Sequence, residues 1–391
     1  MTAKILRDQG SDVEIAVYSD EKYHYYPRPN LIDYLAGSLS WDRLFPFKNS
    51  WYEEKEIAVH LGQAVTRIHP LDRQVELQDG RTEDYDRLLL ANGAQSSFPP
   101  IKGLEKKGVF SLRSLDDCLA LSDEVNKFGR VTILGGGLLG LEIARAFNTR
   151  GADVDVIEYF DRLLWRQLDI EGSALLKSQI EAMGIRVKCG MACIEVEGKR
   201  RVSSLSFKSG VSLPAELVVI AAGIRPDIDL AQAAGLETDR GVVVDRYLRT
   251  SVSTVYAAGD LIQHQGRIYG IIPASFDQAR AAAHNLMGEE RAYEGTIPSN
   301  TLKVLGLTVT SLGLVNPDEG THEEIRFLDR EAGIYKKIVL EDKHLVGAIW
   351  MGTKKGASKI AKLIADRADV SVWKDSIVEK NFDFSQLKAS E

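Results

Sequence analysis

The spacing of apolar positions changes period repeatedly along the chain. Ala3, Ile5 and Leu6 fall on one face of a helix that Gly10 stops, and Val13, Ile15 and Val17 then alternate as in a strand. Strand-like and helix-like stretches go on alternating to about residue 290, the order that builds an open parallel sheet. After that come short strands in "TLKVLGLTVTSLG" and "IYKKIVLEDKHLVGAIWMG" and then a helix, "GASKIAKLIADRA". This tail predicts a smaller α+β domain. Pro-, Gly- and Ser-rich stretches at 92–108 and 287–300 mark the two boundaries.

The strongest local pattern is "RVTILGGGLLGLEIARAFNTRGADVDVIEY" (130–159). A short apolar strand, "VTIL", runs into Gly135, Gly137 and Gly140, a G-x-G-x-x-G that opens a helix. The turn comprises Gly135, Gly136, Gly137, Leu138, Leu139 and Gly140. Its glycines suit a tight turn, a close approach to pyrophosphate and close packing of helix on strand. The helix start offers free N–H groups and a positive dipole end. Leu138, Leu139, Ile143 and Phe147 give the helix its apolar side, and Gly151 ends the unit. The next strand closes at Glu158, where a carboxylate accepts from a ribose 2′-OH and repels a 2′-phosphate. The pattern therefore predicts a dinucleotide site that favours NADH, with Arg162 nearby as a countervailing charge.

Composition narrows the class. In 391 residues, 44% hydrophobic and 27% charged, the apolar runs fall well short of the ~20 residues that a membrane helix needs. A net charge of −7 argues against general nucleic-acid binding. No charged n-region with an apolar h-region opens the chain, so no membrane partner and no signal peptide is expected. Cys118, Cys189 and Cys193 are the three cysteines, a sparse usage that suits a reducing, cytoplasmic setting. The seven histidines show no metal-ligand spacing, and no metal is expected.

With "TSVSTVYAAGD" (250–260) and "YDRLLLANGA" (85–94), this pattern resembles the two-dinucleotide flavoproteins, the pyridine nucleotide–disulfide oxidoreductases. The resemblance covers essentially the whole chain. It implies an α/β protein with two Rossmann-like domains, an FAD domain interrupted by an NAD domain, plus a small C-terminal α+β domain. The corresponding ranges are 1–107 and 241–295 for FAD, 108–240 for NAD, and 296–391 for the last domain. It places Gly259 and Asp260 at the FAD ribitol, and Ala91, Asn92 and Gly93 at a turn near the FAD. The family shows Ala-Thr-Gly at that turn, so Asn92 is a departure. Arg28 and Pro29 would lie beside the isoalloxazine, Asp20 near the adenosine ribose, and the Val65 backbone against the adenine. Gly223 in "AAGIRPD" would approach the nicotinamide nucleotide, and Glu142 is a candidate to orient the nicotinamide. A first-turn acid favoured by the helix dipole is an equal alternative for Glu142.

The stretches "RLLWRQLDIEGSALL", "GDLIQHQGRIYGIIPASFDQARAAAHNL" and "LVGAIWMGTKKGASKIAKLI" most resemble the flavin reductases of rubredoxin and the flavin modules related to nitrite reductases. Disulfide reductases of the family need a cysteine pair near the flavin, and "RPNLIDYLAG" has no cysteine. Cys189 and Cys193 form a C-x3-C in "VKCGMACIEV" and read as small half-buried side chains. What the resemblance implies is hydride transfer from NADH to FAD, then one-electron delivery to a rubredoxin- or ferredoxin-type carrier. Two alternatives are a peroxide-forming NADH oxidase or nitrite-reductase flavin module, and an NAD(H)-binding protein without flavin. Lys355, Lys359 and Lys362 share one helix face as a docking candidate, with Ala357, Ile360, Ala361 and Ile364 on the buried side. Family members start with a strand and a glycine-rich turn before the first helix. The expectation is therefore of a longer natural chain, N-terminal to Met1.

Overall fold

The computed structural model describes residues 1–297, 299–304 and 307–387, and Pro298 of the second boundary stretch lies outside them. The chain divides into two compact units.

The first unit comprises Met1–Asn30, Leu39–Gln95 and Ile224–Thr296. Helix Thr2–Asp8 ends at Gln9, with Gly10 at φ +76° beyond it. It lies on helix Ile272–Leu286, where the Thr2 hydroxyl donates to the Ala279 carbonyl at 3.4 Å. Arg7 fastens its C-terminal end. The guanidinium donates to the carbonyls of Lys55 (2.7 Å), Glu56 (2.8 Å), Ser11 (2.7 Å) and Val13 (2.7 Å). Strand Ile15–Tyr18 pairs in parallel with Ile57–His60, and Leu88–Leu90 in parallel with Val255–Ala257. Among the described residues these are separate two-stranded sheets. Val13 and Val17, which the alternation assigns to a strand, are exposed. "TSVSTVYAAGD" is strand only over Val255–Ala257, because turns occupy the residues before it. A core of Val242, Leu248, Val255, Ala257, Leu261 and Ala282 holds this unit together.

The second unit comprises Leu31–Ser38, Ser96–Gly223 and Ile297–Glu391. Its centre is a parallel sheet in the order Arg186–Lys188, Asp153–Ile157, Arg130–Leu134, Val218–Ile220, Val109–Ser111. Strands covered on both faces read as apolar runs, and Val131, Ile133, Val154, Val156, Val218 and Val219 are all buried. Asp155 breaks the run. It accepts from Arg186 Nε at 2.7 Å and Arg130 Nη2 at 3.1 Å, one partner on each neighbouring strand. Burial opposes its ionisation, but these bonds prevail and hold its carboxyl below the usual range. A change of register would separate the three charges.

Helix Leu115–Phe128 starts with reciprocal Ser114–Asp117 capping and stops at Gly129, φ +64°. Helix Asn30–Leu35 runs within Leu31–Ser38 for most of its length and buries Leu31, Ile32 and Leu35. The Cys118 thiol donates to the Leu31 carbonyl at 3.5 Å and Arg150 to the Leu35 carbonyl at 3.0 Å.

The C-terminal part of this unit is an antiparallel sheet, Ser299–Val304, Leu307–Gly313, His344–Met351, Ile334–Glu341, Glu323–Asp329 in spatial order, with helix Ala357–Ala365. It is tied to the parallel-sheet part by Asp169. That carboxylate caps helix Ile170–Ala182 through the Gly172 N–H (3.0 Å), accepts from Tyr335 (2.5 Å) and pairs with Lys337 (3.3 Å). Lys337 also donates to the Val315 carbonyl at 2.9 Å and pairs with Glu324 at 2.9 Å, so the buried ammonium is fully engaged. On helix Ala357–Ala365 the buried side chains are Ile360, Leu363 and Ile364. Ala357 and Ala361 pack against the same cluster but are only partly buried, and Leu363 joins the buried side. No helix among the described residues is long and apolar enough to cross a membrane.

His264, at the end of strand Ile262–His264, supplies a pH test. Its side chain is buried and neither ring nitrogen has a hydrogen-bond partner among the described residues. Burial lowers its pKa, so the unfolded chain binds more protons once pH drops below the ordinary value of ~6.5. Stability is therefore full above ~6.5 and is lost as pH falls towards the folded value. Melting measured from about pH 7.5 to about pH 5.5 should show a falling Tm, and His264→Phe should lose less than half as much. Equal losses in both proteins would contradict this.

Candidate functional site

The glycine-rich turn sits where the central Arg130–Leu134 strand ends and helix Leu138–Thr149 begins. Gly135 has φ +128°, and a Cβ there would collide with the Ala221 carbonyl. A Cβ on Gly140 would fall on the Gly135 carbonyl oxygen, so strand and helix meet backbone to backbone. Gly137 differs: nothing lies within 4 Å of its Cβ position, and no side chain caps the helix it starts. The first N–H groups of the helix are left open to an anion. The residues present thus fit a dinucleotide pyrophosphate.

Glu158 faces this turn from the end of strand Asp153–Ile157. Its buried carboxylate accepts from the Gly136 N–H at 2.5 Å and the Phe160 N–H at 2.7 Å. A carboxylate has about four acceptor sites, so these bonds leave capacity for a ribose. Arg162 is held elsewhere. It pairs with Asp161 at 2.9 Å and donates to the Leu168 and Trp165 carbonyls at 3.4 Å each. Gly223, φ +95°, follows Ala221, which passes over the turn; its carbonyl accepts from the Ser97 N–H at 2.9 Å. The structure therefore brings Gly135, Gly136, Gly137, Leu138, Leu139, Gly140, Glu158 and the Ala221–Gly223 segment together. Glu142 lies one turn into the same helix. Burial raises its carboxyl pKa, Arg145 pulls it down, and Asp33 pushes it up. Arg145 also pairs with Asp33 at 3.1 Å, which ties this helix to Asn30–Leu35.

In the first unit Ala91–Gly93, Gly259–Asp260 and Asp20 follow carboxyl ends of parallel strands, the ligand-binding edge of α/β folds. Leu90 pairs with Ala257, so Ala91–Gly93 and Gly259–Asp260 leave two adjacent strands side by side. Asn92 Nδ2 donates to the Asp227 carbonyl at 2.7 Å, and the Asp227 N–H donates to the Gly93 carbonyl at 3.0 Å. Asn92 thus acts as a strut between backbone turns. The Gly259 N–H donates to Gln278 Oε1 at 2.7 Å, and Gln278 Nε2 donates to Tyr293 Oη at 3.3 Å. Asp20 follows strand Ile15–Tyr18, and Arg28 precedes Pro29 and pairs with Glu21 at 2.9 Å. Val65 opens strand Val65–His69 opposite Leu77. An acid after Gly259, an open turn at Ala91–Gly93 and Arg28 before a proline fit the sugar and ring end of a flavin nucleotide.

Sequence reasoning missed Gln278 and the backbone of Phe160. Gln278 is a buried polar residue on an alanine face, at i+4 from Ala274, and that placement was its signal. The three thiols are free. Burial pushes Cys118 up to about 12 and raises Cys189 and Cys193, so all three stay protonated near neutral pH. Lys355 precedes helix Ala357–Ala365 and its N-cap Gly356, so only Lys359 and Lys362 lie on the helix; all three are exposed, and Lys359 Nζ donates to the Phe384 carbonyl at 2.6 Å. The expected three-lysine helix face is therefore not formed, because the helix begins after Lys355 and Lys359 is already engaged.

Comparison with known proteins agrees with this geometry. Residues 1–284 match the family described as pyridine nucleotide-disulphide oxidoreductase, and residues 298–368 the rubredoxin NAD+ reductase C-terminal domain. The chain is 33% identical to an assimilatory nitrate reductase electron transfer subunit of Bacillus subtilis, over 94% of this chain and 48% of the relative. It thus spans about half the length of that relative. It is 29% identical to an NADH-rubredoxin oxidoreductase of Clostridium acetobutylicum, over 90% of this chain and 88% of that one. The fold matches a ferredoxin reductase from Rhodopseudomonas palustris with TM-score 0.88 and 25% identity, covering 97% of this chain and 95% of that one.

Two substitutions test the turn. Gly140→Ala cannot keep the strand–helix approach, so dinucleotide binding should be lost together with thermal stability. Glu158→Gln keeps one acceptor oxygen for two N–H groups. NADH affinity measured by titration should fall about tenfold, ~1.4 kcal/mol. Unchanged affinity in Glu158→Gln would contradict the role given to this carboxylate.

Proposed function

The chain belongs to the pyridine nucleotide-disulphide oxidoreductase family, and from that premise we propose that it is an FAD-dependent oxidoreductase that takes hydride from NADH. Its electrons go on singly to a small rubredoxin- or ferredoxin-type carrier. The observation that carries this reading is the dinucleotide turn in a chain whose three thiols are all held protonated. No thiolate is on hand to relay electrons, so the cofactor itself must. Bound FAD supplies the conversion of a two-electron hydride into one-electron steps.

The chain's own residues bind and orient. The open N–H groups at Gly137 and Leu138 hold the NADH pyrophosphate, with Leu139 continuing the first turn. Glu158 orders Gly136 and disfavours a 2′-phosphate, and Arg162, paired with Asp161, is not set to welcome one. Gly223 lets the backbone approach the nicotinamide nucleotide, and Glu142 orients the nicotinamide. On the flavin side Asp260 and Gly259 hold the ribitol, and Ala91, Asn92 and Gly93 the turn beside it. Arg28 and Pro29 flank the isoalloxazine, Asp20 holds the adenosine ribose, and the Val65 backbone meets the adenine.

The similarity to a nitrate reductase electron transfer subunit supports a second reading, the flavin module of a larger reductase. An acceptor screen separates the two. The FAD-loaded protein should reduce rubredoxin with NADH about tenfold faster, or more, than it reduces oxygen. Oxygen as the best acceptor would favour a peroxide-forming oxidase, and a protein that never takes up FAD would leave only an NAD(H)-binding role. Carrier docking is tested by Lys355→Glu with Lys362→Glu. The KM for an acidic carrier should rise several-fold at low salt and lose its salt dependence. An unchanged KM would remove that face from the account.

A further inference from the structure

The first unit also carries an open cleft of about 600 Å³ that none of the proposed cofactor residues lines. Tyr23, His24, Trp41, Phe45, Phe47 and Lys48 form much of it. Trp41 stands edge-on to Tyr23 at 5.9 Å and to Phe45 at 5.3 Å between ring centroids. Phe47 is backed by Trp51, stacked at 4.2 Å, and Tyr25 lies 6.1 Å from it. Phe47 and His24 are thus backed by rings outside the lining, Trp51 and Tyr52, and Tyr23, Trp41 and Phe45 brace one another. Yet Trp41 is 41% exposed, a large apolar ring left facing the opening. His24 stacks on Tyr52 at 4.6 Å, and its buried Nδ1 has no hydrogen-bond partner among the described residues.

The charges around these walls are unequal. The lining carries Lys22, Lys48 and Asp42, and Lys48 is exposed. The volume falls in the range of small-molecule sites, ~300–1,000 Å³, which combine apolar walls with a few convergent polar groups. Offset and edge-on aromatic walls favour a flat ring over an aliphatic chain. The exposed Lys48 favours an anion. We propose that this cleft is a binding site for a planar aromatic anion, a fused-ring sulfonate or carboxylate. The ring lies against Trp41 and Phe45, and the anionic group meets Lys48. This goes beyond the proposed electron-transfer function and does not depend on it.

Calorimetric titration of the full chain with 2-naphthalenesulfonate tests the site without any turnover. Saturable one-site binding with a Kd below about 1 mM is expected. Trp41→Ala and Lys48→Glu should each weaken it about tenfold or more, ~1.4 kcal/mol. Uncharged 2-methylnaphthalene should bind more weakly than the sulfonate. Lys208→Glu, an exposed charge change in the other unit, should bind as the wild type does. Lys48 is exposed, so its variant stays informative even where Trp41→Ala melts early. No saturable binding, or wild-type affinity in Lys48→Glu, would overturn the proposal.

Discussion

The passage of Gly140 beside Gly135 is the tightest constraint in the second unit, because neither position has room for a Cβ. That approach sets how closely helix Leu138–Thr149 lies on the central strand, and so where its first N–H groups open. Gly137, at the helix start, is the one glycine of the motif with open space around it. The motif thus uses glycine for two opposite reasons, close contact within the fold and clearance for a phosphate. The carboxylate of Glu158 completes the arrangement by binding the N–H of Gly136 between them.

Around that turn the unit is braced by a few buried charges. Asp155 spans three strands through Arg130 and Arg186. Asp169 caps a helix of the parallel-sheet part while holding Tyr335 and Lys337 of the C-terminal sheet. Buried ionic groups are costly unless every partner is present, and here each has several. They fix register and position more than they add stability. In the first unit Arg7 does similar work with four carbonyls where a helix, a strand and a loop converge.

The nucleotide turn was legible in the sequence because its determinants are local: strand, glycines, helix and acid follow one another within 30 residues, 130–159. The helix and strand that open the chain were legible too, from period alone. What was hidden depends on where side chains turn in the folded chain. No pattern indicated that Glu158 would take the N–H of Phe160, or that Gln278 would meet the Gly259 N–H. The three lysines were read as one helix face, but helix Ala357–Ala365 begins after Lys355, and the Phe384 carbonyl that engages Lys359 comes 25 residues later. Alternation at Val13, Ile15 and Val17 suggested a strand, which runs only over Ile15–Tyr18; Val13 and Val17 are exposed, and the strand has a single paired neighbour among the described residues. Asn92 looked like the loss of a hydroxyl contact, and its amide instead bridges to Asp227.

The central claim is that electrons pass from NADH through a flavin with no protein thiol in the path. Anaerobic NADH titration of the FAD-loaded protein, beside a variant with Cys118, Cys189 and Cys193 all changed to alanine, tests it most directly. The account predicts that one equivalent of NADH bleaches the flavin absorbance in both proteins, at the same rate within about a factor of two. Loss of flavin reduction in the cysteine-free protein, with FAD still bound and the fold intact, would contradict it.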